Sequence, residues 1–358
     1  MSKCLGAVAR FTRWRDWGPG KIPVLCTILF YIGLANRQVS ASFVLDFALF
    51  VLYATLHSAL GYVVNDWGDR ALDARHGKPN AFASLTRIQG VVALVGLLLL
   101  AFLSGLPFAR RQMVLPLWLG WAFFALAYSL PPLRLKERGV WGLGFSFVAQ
   151  WSLPVLLAFA ALGRFGGWDM VVFALAVTVS GATLEIAHQR WDRAHDLSTQ
   201  TGTLGTRVSP AKLDQLFAAA LVLDRVALGA VLITMMVKFA PVAVGHLSLS
   251  PALPLVGVYV VLFVTALYET IRASRRGELV DPYYDSQRSA TKLLHETMPN
   301  LAVPAYLMVL AAVHQPINWL LLVAFLFWRL VLGQADWLWP WRAVRDWWHR
   351  QRRPEMGS

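Results

Sequence analysis

Apolar runs of about twenty residues recur along the chain, and their length constrains the fold more than any motif. A helix rises about 1.5 Å per residue, so roughly twenty residues cross the hydrocarbon layer of a bilayer. Such runs lie near 22–37, 42–64, 88–106, 113–130, 140–162, 168–189, 213–238 and 251–271. A last apolar region, near 299–333, is interrupted by His314, Gln315 and Pro316. It reads as one broken helix or two short ones. Backbone groups in hydrocarbon must bond within their own segment, so the runs are helices and the fold is an all-α polytopic membrane protein. Composition agrees: 57% of the 358 residues are hydrophobic and 15% charged, against about 25% charged in a soluble domain.

The net charge is +13, and its placement gives an orientation. Loops at 65–87, 131–139, 190–212 and 272–298 are rich in Arg and Lys, and the alternate loops are poor. By the positive-inside rule the rich loops and the N-terminus are cytoplasmic, in a bacterial inner or plasma membrane. The basic tail then requires an even number of spans: ten, or nine plus a re-entrant piece. Basic residues between spans indicate contact with anionic membrane lipid and no nucleic-acid partner. Residues 1–20 form a basic interfacial segment, and the first span is retained rather than cleaved. Residues 21–333 form the transmembrane domain. Residues 334–358 form a basic tail whose Trp-rich part, 336–349, reads as an interfacial amphipathic helix. Two cysteines, Cys4 and Cys26, imply neither a disulfide framework nor a zinc site.

Chemistry concentrates where the second run ends, at Asn65-Asp66-Trp67-Gly68-Asp69-Arg70-Ala71-Leu72-Asp73. On a helix Asp66, Asp69 and Asp73 fall at i, i+3 and i+7, so they crowd one face with Asn65. Clustered carboxylates repel unless a positive charge joins them, and Mg²⁺ shared with a substrate phosphate suits oxygen ligands. A second set ends the sixth run: Glu185, Gln189, Asp192 and Asp196 at i, i+4, i+7 and i+11. Acids that begin inside a bilayer are costly unless they serve a site. Two such faces on one membrane side could hold one or two metal ions and a diphosphate. Metal ions neutralise charge on a departing diphosphate. Between the sets, Pro131-Pro132 end the fourth run, and Arg134, Lys136 and Arg138 follow. These cations could reach over the acids or form an ordinary positive-inside loop.

The first acidic stretch resembles the first aspartate-rich motif of the UbiA superfamily of intramembrane prenyltransferases. The stretch from Tyr128 to Lys136 resembles a loop of that superfamily, including its chlorophyll-synthase-like members. Gln189, Asp192 and Asp196, with Thr203-Leu204 beyond, resemble the second motif. The resemblance covers about residues 15–271. It implies a bundle of typically nine transmembrane helices around a lipid-facing chamber, to which the last apolar region would add a C-terminal span or a re-entrant segment. It also implies Mg²⁺-dependent transfer of a prenyl group from a prenyl diphosphate to an aromatic or lipid acceptor. Asn65, Asp66, Asp69, Asp73, Asp192 and Asp196 would be metal ligands, and the five aspartates catalytic. Tyr128, Arg134, Lys136, Lys78 and Lys21 would contact the diphosphate or gate the site.

The chain departs from the family pattern where Gln189 replaces an Asp and Gln200 a common Gly. A neutral amide binds a cation less well, so Gln189 weakens one metal or meets the acceptor instead. Glu185 reads as an acceptor contact, with a structural hydrogen bond as the alternative. His57 and Ser58 either line an acceptor pocket or join helices. His188 and His195 read as interfacial polar residues, and Asp281 and Asp285 as a solvated loop. Two rival functions remain: a terpene cyclase that ionises a prenyl diphosphate without an acceptor, and a transporter or lipid-binding protein using the acids as a relay. The acceptor and the prenyl length are unknown from sequence.

Overall fold

The structure, a computed structural model of the chain, describes residues 3–198, 202–244, 246–284 and 289–332. The helices are α1 (Lys3–Phe11), α2 (Trp14–Ala35), α3 (Ala41–His76), α4 (Arg87–Gly105) and α5 (Val114–Ser129). They continue as α6 (Trp141–Ala161), α7 (Trp168–Ser198), α8 (Pro210–Lys238), α9 (Leu253–Ser274), α10 (Ala290–His314) and α11 (Pro316–Leu330). Among the described residues eight of these are long and apolar enough to cross a membrane, and α5 and α11 are shorter. A small antiparallel hairpin, Val242–Val244 with Leu247–Leu249, joins α8 to α9. The amphipathic tail expected at 334–358 lies outside the described residues.

Local chemistry sets the helix ends. Thr86 and Gln89 form a reciprocal capping box that starts α4, satisfying backbone N–H groups that have no partner within the helix. Ser209 and Pro210 start α8. Gly77, in the left-handed region at φ 64°, stops α3.

The last apolar region resolves into two helices. Gln315 is extended between them, and Asn318 Nδ2 donates to the carbonyls of Val39, Ala311 and Gln315 there. The first of the two begins at Ala290, earlier than the apolar run at 299 indicates. Its start is held by Glu269 of α9, whose carboxylate accepts from Ala290 N, Thr291 N and Thr291 Oγ1, each at 2.9 Å. Lys292, His295 and Glu296 hide this turn from a hydropathy reading.

Helix α7 packs along α8, α3 against α4, and α10 against α2. A continuous aromatic core runs through Phe30, Tyr31, Phe43, Phe47, Phe159 and Phe173. The outer faces of α4 and α9 expose Val92, Leu103, Val261 and Val264. Exposed apolar faces of this extent suit a lipid surround, and the chain is an integral membrane protein.

At the end of the bundle away from the acidic stretches, a polar lock joins α2 to α7. The Tyr31 hydroxyl donates to Asp169 Oδ2 at 2.7 Å, and Arg164 donates to the same oxygen at 2.6 Å and to Asn36 at 2.7 Å. Replacing Asp169 by Ala leaves the fully buried Tyr31 hydroxyl without its acceptor. The expected loss is about 1–3 kcal/mol, read as a lower unfolding midpoint in detergent. An unchanged midpoint removes the lock from the account of stability.

Candidate active site

Helix α3 continues unbroken past Asp73, so its acidic residues share one face as their spacing requires. Three separate segments bring positive charge or N–H groups to that face. Arg13, just before α2, donates to Asp66 Oδ1 at 3.0 Å, and the Ala81 N–H donates to Asp66 Oδ2 at 3.0 Å. Asp66 is 3% exposed, and these bonds satisfy a carboxylate that burial alone would make costly. Asn80 Nδ2 donates to the Asp66 carbonyl and to Asp73 Oδ2, both at 2.7 Å. This ties the 77–86 loop back onto the helix that precedes it.

The loop after α5 supplies the third segment. Lys136 Nζ donates to Asp69 Oδ2 and, at 3.0 Å, to Asn65 Oδ1. Arg134 donates to Asp69 Oδ1 at 3.1 Å and pairs with Glu137 at 2.6 Å. Its backbone is left-handed, at φ 38°, an arrangement that costs a non-glycine residue of order 1–3 kcal/mol and persists where contacts over-determine it. The approach of this loop to α3 depends on Gly68, where an added Cβ would lie 2.6 Å from the Ser129 carbonyl oxygen.

The second acidic set lies on the last turns of α7. Gln189 is 9% exposed. Its Oε1 accepts the Gly205 N–H at 3.0 Å, and its Nε2 donates to Glu185 Oε1 at 3.3 Å. Asp196 accepts from Thr203 Oγ1 at 3.1 Å. His188 Nε2 lies 3.2 Å from Asp192 Oδ2, and His188 Nδ1 lies 3.0 Å from the Tyr284 hydroxyl. Burial, with Asp192 and Asp281 nearby, pushes the Tyr284 phenol up to about 12. The Tyr284 ring stacks on Trp191 at 4.8 Å.

Between the two sets lies a ring of polar groups on an aromatic floor. Lys21 Nζ donates to Gln150 Oε1 at 2.9 Å and sits over the rings of Tyr62 and Trp151 at 5.2 and 5.3 Å. Gln150 and Trp151 lie on a π-helical turn of α6, Val148–Ser152, a distortion that turns extra side chains inward and recurs at functional sites. Glu185 is within electrostatic reach of Lys21, Tyr62 and Tyr128, and Asp69 is within reach of Tyr128. Tyr62 and Tyr128 thus connect the acidic end of α3 with that of α7.

The structure gathers Asn65, Asp66, Asp69, Asp73, Tyr128, Arg134 and Lys136 at one end of the bundle, with Lys21, Glu185 and Gln189 close below. Lys78 is exposed, and its backbone N–H closes α3 on the Asp73 carbonyl. His57 is buried within α3 and stacks on Trp121 at 3.7 Å. Asp281 is not merely solvated: it pairs with Arg190 at 2.8 Å and accepts from the N–H groups of Tyr283 and Tyr284. Asp285 and Gln200 lie outside the described residues. Arg13, Tyr62, Asn80 and Gln150 were missed by the sequence reading. A cation or amide placed near an acidic face by chain folding leaves no local spacing signal.

Among the described residues no three His, Cys, Asp or Glu side chains converge into a preformed metal cage. The donor set is nonetheless carboxylate and amide oxygen, which suits a hard cation such as Mg²⁺. The cations now seated on Asp66 and Asp69 mark where that face accepts positive charge.

Known proteins agree with this architecture. The pattern of the UbiA prenyltransferase family matches residues 24–279. A 4-hydroxybenzoate octaprenyltransferase from Serratia proteamaculans is 28% identical over 210 residues, covering 56% of this chain and 67% of that protein. Two structures of a UbiA homolog from Archaeoglobus fulgidus share the fold. One is bound to DMAPP and Mg²⁺ and the other to GPP and Mg²⁺. Each has a TM-score of 0.55 at 16% identity. They cover 85% and 86% of this chain and 99% of their own. The chain belongs to the UbiA prenyltransferase family. It is an enzyme, a prenyltransferase of the UbiA type.

Replacing Gly68 by Ala drives a methyl group into the Ser129 carbonyl. Overpacking of this kind costs about 1–3 kcal/mol. The expected result is faster hydrogen exchange across 131–139 together with a lower unfolding midpoint. Exchange unchanged in that loop overturns the assignment of Gly68 as its seat.

Proposed function

We propose that this enzyme uses Mg²⁺ to transfer a prenyl group from a prenyl diphosphate to a small aromatic or lipid acceptor inside the membrane. The observation that carries the reading is the pairing of Lys136 and Arg134 with Asp69 and Asn65, at the same end of the bundle as Tyr128 and a half-buried Glu185. A site that interleaves mobile cations with acids matches a diphosphate carrying its own metal ions. The solved A. fulgidus homolog, bound to DMAPP or GPP with Mg²⁺, supports the same substrate class.

Asn65, Asp66, Asp69, Asp73, Asp192 and Asp196 would hold the metal, which when bound supplies charge neutralisation to the leaving diphosphate. The chain's own residues do the rest. Lys136 and Arg134 shift from Asp69 to diphosphate oxygens, where charge-assisted hydrogen bonds are strong. Lys21 adds a third cation from below. Tyr62, Trp151 and Trp17 present ring faces to the allylic cation that remains, and ring faces attract cations. The packed loops 77–86 and 131–139 exclude water, which would otherwise capture the cation. Glu185, below the diphosphate position and in reach of Tyr62 and Tyr128, faces the acceptor.

The positive-inside pattern and the bacterial relative support an inner-membrane location with this end of the bundle cytoplasmic. Residues 21–333 then form the catalytic domain, the basic segment 1–20 its interfacial entry, and 334–358 an interfacial tail. Family membership argues against the transporter reading.

The test measures diphosphate release from geranyl diphosphate by the purified enzyme in detergent. Asp66→Ala, Asp69→Ala and Asp192→Ala are each expected to lower the rate at least a hundredfold while the protein stays folded, and EDTA to abolish release reversibly. Retained turnover in all three variants sinks the proposal. Incubation with Mg²⁺ and no acceptor decides against the cyclase: a cyclised hydrocarbon or alcohol as the main product would replace transfer with cyclisation.

A further inference from the structure

Below the ring of tyrosines the bundle encloses an apolar cavity, lined by Val24, Ile28, Phe173, Leu228, Leu294 and Val303 among others. One charged residue stands on its wall, Asp224 of α8. Asp224 is 7% exposed, and its Oδ2 lies 2.5 Å from His295 Nδ1. His295 Nε2 lies 3.1 Å from Arg225 Nε. A guanidinium nitrogen only donates, so Nε2 accepts and the imidazole proton is on Nδ1, directed at Asp224. Arg225 also donates to Thr270 at 3.1 Å. The carboxylate is thereby held in place through Oδ2, which leaves Oδ1 for the cavity.

The depth of this carboxylate follows from helix register. Arg190 pairs with Asp214, and Thr183 Oγ1 donates to the Ala220 carbonyl at 3.1 Å, so α7 and α8 run antiparallel in fixed register. Asp224 is therefore level with Ser180, which lines the same cavity. From Ser180 up α7 to Asp192 is twelve residues, about 18 Å at the rise of an α-helix. A geranyl tail whose diphosphate sits at the acids ends short of that depth. A geranylgeranyl tail, twice as long, reaches it.

We propose that Asp224 is a specificity-determining residue that limits the length of the prenyl tail, with His295 and Arg225 as positioning residues that keep its carboxylate at the cavity wall. The proposal rests on the reading that this chamber takes a prenyl diphosphate. A tail that stops above Asp224 leaves the Oδ1 face its water. A tail that passes it strips that water and offers only carbon in return, and a buried carboxylate oxygen left without a hydrogen bond is disfavoured even while Oδ2 keeps its bond to His295. A purely structural role, pinning α10 to α8, would not discriminate between ligands that share a head group.

The experiment measures binding of the unreactive thiolodiphosphate analogues of geranyl and geranylgeranyl diphosphate, with Mg²⁺, by calorimetry on the full chain in detergent. The variants are Asp224→Asn and the double variant Asp224→Asn/Arg225→Gln, which leaves no unbalanced buried charge. The ratio of geranylgeranyl to geranyl affinity is expected to rise at least tenfold in whichever variant keeps the wild-type unfolding midpoint. A ratio that stays put, or two affinities that fall together, overturns the role of Asp224 and leaves the proposed function intact. Failure of the wild type to bind either analogue overturns the proposed function and this inference with it.

Discussion

The bond from Lys136 and Arg134 to Asp69 is the interaction on which the site depends. An isolated helix end carrying four oxygen-bearing side chains on one face is electrostatically unfavourable. Here three pieces of chain distant in sequence converge on that face: Arg13, the 77–86 loop through Asn80 and Ala81, and the 131–139 loop. Each loop is ordered by the acids it covers. The resulting cap is held at a charged surface rather than by an apolar core, so it can open onto another cation-bearing partner without unfolding the bundle. Exposed ion pairs are worth about 0–1 kcal/mol each. The Lys136 and Asp69 side chains are each 16% exposed, so this pairing is stronger than that, and a diphosphate with its metal competes for it directly.

The fold was largely legible because the bilayer admits few solutions. Runs of fixed length gave the spans, and the i, i+3, i+7 spacing of Asp66, Asp69 and Asp73 became one face because α3 does run on to His76. Legibility ended where structure depends on pairing across the chain. The start of α10 rests on Glu269 accepting three hydrogen bonds, and no apolar count registers a helix that opens with Lys292, His295 and Glu296. The same holds for Arg190 and Asp281, separated by 91 residues yet paired at 2.8 Å. Both belong to segments whose charges look solvated when each is read alone.

That pair gives the loop before α10 a place in the site. Asp281 anchors it to α7, and the anchored backbone brings Tyr284 over Trp191 and onto His188. His188 in turn holds Asp192. The loop matched no family motif because it reaches the second acidic face indirectly, through a histidine that helical spacing placed beside that face rather than on it.

Gln189 shows how much one amide can hold together. From sequence its amide was a weakened metal ligand or an acceptor contact. In the structure both ends of the amide are already used: Oε1 takes the Gly205 N–H and Nε2 faces Glu185. Space at this junction is tight, since a Cβ on Gly205 would lie 2.8 Å from the Gln189 carbonyl oxygen. A carboxylate at this position would keep the bond to Gly205, lose the one to Glu185, and set two negative charges together below the site. Glutamine therefore fits a chain that keeps Glu185 as its deep acid. Gln189 and Glu185, one turn apart, thus act as a unit: the amide donates to the carboxylate and holds it in place.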